Sequence, residues 1–280
     1  MIVFHNGCYV PAEQAAISVF DRGFLYGDGL FETTRVHLGQ PHFWDRHIAR
    51  LNRGAAHLQI PLCYTKTEII DFTTDLITKN NLPESVLRLN LSRGIGSRGY
   101  SIEGCSSPTL VMSLHPPTAE KPSANGLRLI TASQRLLADD PLASFKTTNK
   151  LLHILARAES QAAGADDALL FNTRGEPAEA TASNLFWIDV ETLCTPPLSS
   201  GALDGITRRV VLELCAQLGI AARETVAQIP ANSAAFLTNS VQGIVDVASL
   251  DDRPLLRSPL VDRIRDAYQE LTQQQASKCP

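Results

Sequence analysis

The sequence predicts an α+β (mixed α/β) protein in two domains, and three observations carry that expectation. Short alternating strands and amphipathic helices are mixed in both halves of the chain. The 280 residues, 44% of them hydrophobic, are enough for one large core or two modest ones. A seam rich in proline and small polar residues, HPPTAEKPSANG at 115–126, reads as a linker. The domains are therefore expected at 1–116, a smaller N-terminal one, and 125–280, a larger C-terminal one, with 117–124 between them.

Taken in order, residues 1–9 read as a strand leading into a turn. Gly27-Asp28-Gly29 opens a second strand over 29–37 (GLFETTRVH). The spacing of Ile48, Leu51, Ala55 and Leu58 predicts a helix over 46–58, and Ile69, Ile70, Phe72, Leu76 and Ile77 predict another over 67–79. Residues 86–92 alternate as a strand, with Leu87, Leu89 and Leu91 on one face and Arg88, Asn90 and Ser92 on the other. A short strand follows at 109–114. Past the seam, strands are expected at 127–133, 167–172, 184–189 and 235–239, with a turn at 173–176. Helices are expected at 149–163, where Leu152, Leu155, Ala156 and Glu159 mark successive turns, and at 207–218, closed by Gly219.

Composition narrows the function. A net charge of -4 gives no reason to expect a nucleic acid or an anionic membrane as partner. The 25 basic residues are mostly arginine, which suits carboxylate and phosphate recognition. Cys8, Cys63, Cys105, Cys194, Cys215 and Cys279 form no CxxC pair and no zinc-spaced cluster with histidine, so no metal site is expected. The opening MIVFHNGCYV lacks a basic stretch before a long apolar run, and no run approaches the ~20 apolar residues that span a bilayer. The expectation is a cytoplasmic protein.

Five segments could carry chemistry. Gly94-Ile95-Gly96-Ser97-Arg98-Gly99 fits GxGxxG, but Tyr100-Ser101-Ile102-Glu103-Gly104 after it is turn-like, and a dinucleotide site needs a helix there. The loop instead suggests a mobile element in which Arg93 or Arg98 receives a substrate carboxylate, or an ordinary surface loop. Leu203-Asp204-Gly205 leads into a helix starting near Ile206-Thr207, either an anion site with the Thr207 hydroxyl or a simple cap. Thr238-Asn239-Ser240 ends a strand and could meet a phosphate or merely turn. Glu179 stands among small residues, held for a cationic ring nitrogen or exposed in a turn. Lys146, between Phe145 and Thr147-Thr148, lies in a more apolar setting than Lys150, and a lysine that forms a Schiff base must spend time deprotonated, which burial favours.

The order of these pieces resembles the class IV aminotransferases, the fold-type IV pyridoxal-phosphate enzymes. The resemblance covers nearly the whole chain. It rests on DRGFLYGDGLFETTRV (21–36), HIARL (47–51), FKTTNKLLHILARAES (145–160), GADDALLFNTRGEPAEATASNLF (164–186), TPPL (195–198), LDGITRRVV (203–211) and FLTNSVQGIV (236–245). It implies pyridoxal 5'-phosphate as cofactor, with Lys146 as the Schiff-base lysine and proton shuttle. Arg50 is implied to bind the cofactor phosphate, together with Ile206, Thr207, Ser240 and Val241, and Glu179 to pair with the ring nitrogen. Phe31 and Glu32 fall on the substrate-side strand. A pseudo-barrel C-terminal domain and a homodimer, with the 94–100 loop reaching the partner, are also implied.

Within the family, LSRGIGSRGYS (91–101) and Thr238-Asn239-Ser240 resemble aminodeoxychorismate lyase, which converts 4-amino-4-deoxychorismate to 4-aminobenzoate and pyruvate in folate biosynthesis. Leu151 stands where branched-chain aminotransferases carry tyrosine, and Phe31 where D-amino-acid enzymes do. Asp246, where lyases usually have proline, and Thr147-Thr148 depart from the lyase pattern. The alternative is an aminotransferase of branched-chain amino acids, D-amino acids or primary amines.

Overall fold

The computed structural model describes residues 1–117 and 125–277, so the expected linker, apart from Pro117, lies outside the described residues. The chain forms two compact units. Residues 1–117, Phe145–Asn149 and 275–277 make the first; residues 125–144 and Lys150–Gln274 make the second. The expected 125–280 domain thus loses Phe145–Asn149 to the first unit. The reason is backbone pairing: Phe31 N donates to Lys146 O at 2.9 Å, Thr148 N donates to Gly29 O at 3.0 Å, and Leu30 and Thr147 form an antiparallel bridge.

In the first unit, β1 (Ile2–His5), β2 (Cys8–Pro11), β3 (Gly29–His37), β4 (Gln40–Pro41), β5 (Ser85–Ser92) and β6 (Thr109–His115) form an antiparallel sheet in the order β2-β1-β6-β5-β3-β4. Three helices belong to it: α1 (Arg22–Tyr26), α2 (Trp44–His57) and α3 (Lys66–Asn80). The alternation read in β5 is borne out. Leu87, Leu89 and Leu91 are buried, and they share one core with Leu110 and Met112 of β6, Ile48 and Leu51 of α2, and Ile69 and Leu76 of α3. Arg88 and Asn90 are left on the opposite face. A capping box between Thr65 and Glu68 starts α3 where its apolar period begins.

The second unit contains β7 (Leu127–Leu136), α4 (Leu151–Ala162), β8 (Asp167–Asn172), β9 (Pro177–Ala180), β10 (Asn184–Asp189), β11 (Thr192–Thr195), α5 (Ile206–Gln217), β12 (Ala222–Glu224), β13 (Ala235–Asn239), β14 (Gly243–Leu250), β15 (Arg253–Pro254) and most of α6 (Pro259–Ser277). Its sheet runs β12-β11-β10-β13-β14-β7-β8-β9, and β9 also pairs with β10. That extra pairing closes β10-β13-β14-β7-β8-β9 into a ring, the pseudo-barrel. Leu169, Leu185, Trp187, Leu237 and Val247 pack in one core of this unit. Helix α4 lies on β7 and β8 through small residues: Ala156 packs with Ala132, Ala168 and Ala178. The leucines that mark its period, Leu152 and Leu155, stay exposed. Among the described residues no helix is long and apolar enough to cross a membrane.

The glycine-rich run after β5 is followed by no helix. Gly94 has φ +79°, and a Cβ there would lie 1.8 Å from Ser107 O. The glycine answers a close approach of two backbones. Gly94→Ala is therefore expected to cost at least ~1–2 kcal/mol from the left-handed backbone alone, before the clash. Thermal denaturation of the purified variant checks this, and an unchanged midpoint would contradict it.

Candidate active site

On β3, Phe31 faces Lys146. Lys146 Nζ lies 4.7 Å from the centre of the Phe31 ring and Arg88 Cζ 4.3 Å from it, so both cations rest against one aromatic ring. Arg88 is half-buried, and burial pulls its guanidinium below the ordinary value. Among the described residues its guanidinium has no ion pair or hydrogen bond. The sequence places Arg88 on the non-core face of β5 but does not mark it as a site residue. The signal was there: a permanent cation on the strand that pairs with the Phe31 strand.

Glu32 differs from expectation. Neighbouring strand residues point to opposite sides, so with Phe31 toward Lys146, Glu32 turns toward α2. There its buried carboxylate meets Arg50 bidentately, accepting from Nε at 2.8 Å and from Nη2 at 2.6 Å. His47 Nδ1 donates to Oε2 at 2.7 Å. Burial alone would raise the Glu32 carboxyl, but the charge and hydrogen bonds of Arg50, with those of His47, lower it from 4.5 to about 2. The structure thus makes Glu32 a partner of Arg50, away from the substrate-side position expected for it.

The expectation for Arg93 is corrected in the same way. Its Nε donates to Asp28 Oδ2 at 2.7 Å and its Nη2 to Asp28 Oδ1 at 3.0 Å, while Nη1 and Nη2 also reach Gln59 O and Leu58 O at 2.9 and 2.8 Å. A buried guanidinium so engaged holds the chain together. Nor is the loop loosely attached: Arg22 Nη1 donates to Gly99 O at 2.8 Å, and Gly99 N donates to the Tyr26 hydroxyl at 3.1 Å. Arg98 is exposed on it.

In the second unit the barrel ring brings Glu179, Asn184 and Thr238 side by side, because Asn184 of β10 pairs with Glu179 on one side and Thr238 on the other. Glu179 is buried. Its Oε1 lies 3.0 Å from His153 Nε2, and its Oε2 accepts from Leu203 N at 2.9 Å and from Asn184 Nδ2 at 3.4 Å. Burial alone would raise this carboxyl, but the bond and charge of His153, the charge of Lys150 and the Leu203 amide outweigh it and hold it below the ordinary carboxylate value. His153 went unnoticed in the sequence because nothing local links it to a residue 26 positions on.

Asn184 also donates to Leu203 O at 2.8 Å, which ties Glu179 to the start of α5. A Cβ on Gly205 would lie 1.9 Å from Asn184 Oδ1, so glycine is needed at that cap. Gly205 supplies no side-chain cap to α5, and the first amides of a helix have no internal acceptor. Beside them the Thr207 hydroxyl is buried without a hydrogen-bond partner among the described residues, and the Thr238 hydroxyl on β13 is likewise orphaned among them. Ser240 is half-buried. The Val241 amide, expected at a phosphate, donates instead to Asn239 Oδ1 at 2.9 Å in a local turn.

These are the parts of an enzyme that handles amines with a phosphate-bearing cofactor. A model of the amino-transferase class IV family matches residues 29–250, and the chain belongs to that family of pyridoxal 5'-phosphate enzymes. It is 35% identical over 257 residues to a putative branched-chain-amino-acid aminotransferase of Methanocaldococcus jannaschii, covering 90% of this chain and 89% of that protein. It is 31% identical over 259 residues to an aminodeoxychorismate lyase of Bacillus subtilis, covering 90% and 87%. A crystal structure of a putative 4-amino-4-deoxychorismate lyase from Legionella pneumophila superposes with a TM-score of 0.86 at 33% identity, over 94% of this chain and 97% of that one. The orphaned Thr207 and Thr238 hydroxyls beside an uncapped helix start fit a phosphate. The ionised, buried Glu179 fits a protonated ring nitrogen.

The Glu32 ion pair yields a pH prediction. Its folded value lies below the ordinary one, so its contribution to stability is present above about 4.5 and is lost as the pH falls toward 2. Glu32→Gln leaves Arg50 buried without its carboxylate, which is expected to cost about 3–5 kcal/mol at neutral pH. The loss of stability in acid should be shallower in the variant. Denaturant titrations across that pH range check both, and parallel curves for the two proteins would contradict the assignment.

Proposed function

We propose that this protein is a 4-amino-4-deoxychorismate lyase, releasing 4-aminobenzoate and pyruvate, and that it works as a cytoplasmic homodimer. The observation that carries the reading is the loop Ser92–Ser101, SRGIGSRGYS, in which Arg93 is locked to Asp28 while Arg98 and Tyr100 are exposed. The B. subtilis and L. pneumophila relatives support it. Exposed apolar side chains at Val19, Phe20, Phe24, Ile95 and Tyr100, all in the first unit, support the dimer. The M. jannaschii relative favours a second reading, a branched-chain aminotransferase that uses the same cofactor residues.

In this reading Lys146 holds the cofactor through its amine, and Glu179 keeps a proton on the ring nitrogen. The amides of Ile206 and Thr207 and the hydroxyls of Thr207, Thr238 and Ser240 receive the phosphate, and Arg50, fixed by Glu32, balances its charge. When bound, pyridoxal phosphate supplies a ring that takes up the electron pair left on a substrate carbon. Lys146 Nζ, freed as the substrate's amine takes its place, would remove the proton from the amine-bearing carbon. The C–O bond to the enolpyruvyl group would then break with its electron pair leaving on oxygen, the ring would become aromatic, and the released enolate would take a proton on its methylene carbon to become pyruvate. Arg88, the half-buried cation beside Lys146 that has no anionic partner among the described residues, receives a substrate carboxylate, and Arg98 receives another.

The purified protein is expected to be yellow and to release pyruvate from aminodeoxychorismate without an added 2-oxo acid. Strict dependence on a 2-oxo acid acceptor would establish the second reading instead. Lys146→Ala should abolish the near-visible band and nearly all turnover. Arg88→Ala should raise KM by about 10- to 100-fold, the scale of one lost charged hydrogen-bond pair, with the near-visible band retained. Steady-state kinetics with aminodeoxychorismate decide this, and an unchanged KM would remove Arg88 from the substrate site.

A further inference from the structure

Glu179 is held from three directions, and one of them comes from a helix rather than from the barrel. Helix α4 lies on β7 and β8 by a stripe of small buried side chains, Ala156 and Ser160. His153 stands one turn before Ala156 on the same stripe. The small residues let the helix approach closely, and this brings His153 Nε2 within 3.0 Å of Glu179 Oε1. An ionised carboxylate only accepts hydrogen bonds, so that nitrogen carries the proton. The other ring nitrogen, Nδ1, is buried and has no hydrogen-bond partner among the described residues. A histidine placed only to fill the core would not spend its single hydrogen bond on a carboxylate while leaving its second nitrogen unsatisfied.

We propose that His153 is the positioning residue for Glu179: its Nε2–H fixes the carboxylate through Oε1 and favours the ionised form that keeps a proton on the cofactor's ring nitrogen. The inference rests on the reading of Glu179 as that nitrogen's partner. Removing the donor makes the carboxylate a stronger base, and the shared proton moves from the ring toward Glu179.

The test uses the holoenzyme reconstituted with pyridoxal phosphate isotopically labelled at the ring nitrogen. Nitrogen NMR reads the protonation of that atom, and a cofactor titration reads affinity. Glu179→Gln is the reference and should move the resonance to the neutral-pyridine position. His153→Ala should move it in the same direction and weaken cofactor binding about tenfold, the worth of one charge-assisted hydrogen bond. His153→Gln, whose amide nitrogen can occupy the Nε2 position, should restore both. His153→Asn, too short to reach Glu179, replaces the alanine variant if that one fails to fold. A wild-type resonance in the truncated variants, while Glu179→Gln moves it, overturns the role of His153 alone. A truncation defect that His153→Gln does not repair makes His153 structural and also overturns it. No movement in Glu179→Gln overturns the assignment of Glu179 and the inference with it.

Discussion

A carboxylate taken out of water must be surrounded by donors, and the second unit is organised around meeting that demand for Glu179. Leaving such a group unpaired costs several kcal/mol, so its partners are not optional. They come from three places: a helix (His153), the adjacent strand (Asn184) and the loop before α5 (Leu203 N). Each needs a structural condition. The short strand β9 must pair on both sides, which closes the barrel. Helix α4 must lie close, which small residues permit. The loop must meet Asn184, which only glycine at 205 allows. Satisfying the acid therefore also sets the uncapped start of α5 and the buried Thr207 hydroxyl beside it.

The first unit solves a similar problem with an opposite result. Glu32 is as buried as Glu179, but its partners are a guanidinium and an imidazole on α2, and the bidentate contact with Arg50 makes it half of an ion pair. The pleat of β3 separates the two jobs of that strand. Phe31 stands on the Lys146 side, where a lysine and an arginine rest on its ring. Glu32 stands on the helix side, where it fixes an arginine. Two neighbouring residues that the family pattern presents as one substrate-side pair therefore serve different ends.

The parts of the fold that were legible in the sequence are those whose burial is periodic. Strands β3 and β5 and helices α2 and α3 each bury one regular face, so apolar spacing marks them to within a residue or two. Strand β9 has four residues, PAEA, all buried and none β-branched. It is a strand because β8 and β10 flank it, which no local pattern records. Helix α4 was found by its leucines, yet those leucines face outward; the period located the helix and misled about its inner face. The site divides in the same way. The order of motifs is what puts Lys146, Arg50, Glu179 and Thr207 forward as candidates. The engagement of Arg93 was not legible, because it depends on Asp28, 65 residues earlier. The pairing of His153 with Glu179 was hidden for the same reason.

The fate of the cations bears on how relatives with different names share one frame. Arg93 and Arg50 are both buried and both bound bidentately to a carboxylate, Asp28 and Glu32. Removing either would strip a carboxylate of its bidentate partner, leaving Asp28 to Arg22 and Glu32 to His47, so both positions are constrained by stability. Arg88 and Arg98 carry no such obligation among the described residues. A cation that no internal acid requires can change without unfolding the protein, and Arg88 is such a cation, held against the Phe31 ring beside Lys146. The substrate roles proposed for Arg88 and Arg98 therefore fall on arginines that the fold does not use, and the glycine-rich run carries one of them outward from a strand end that Arg93 has already fixed.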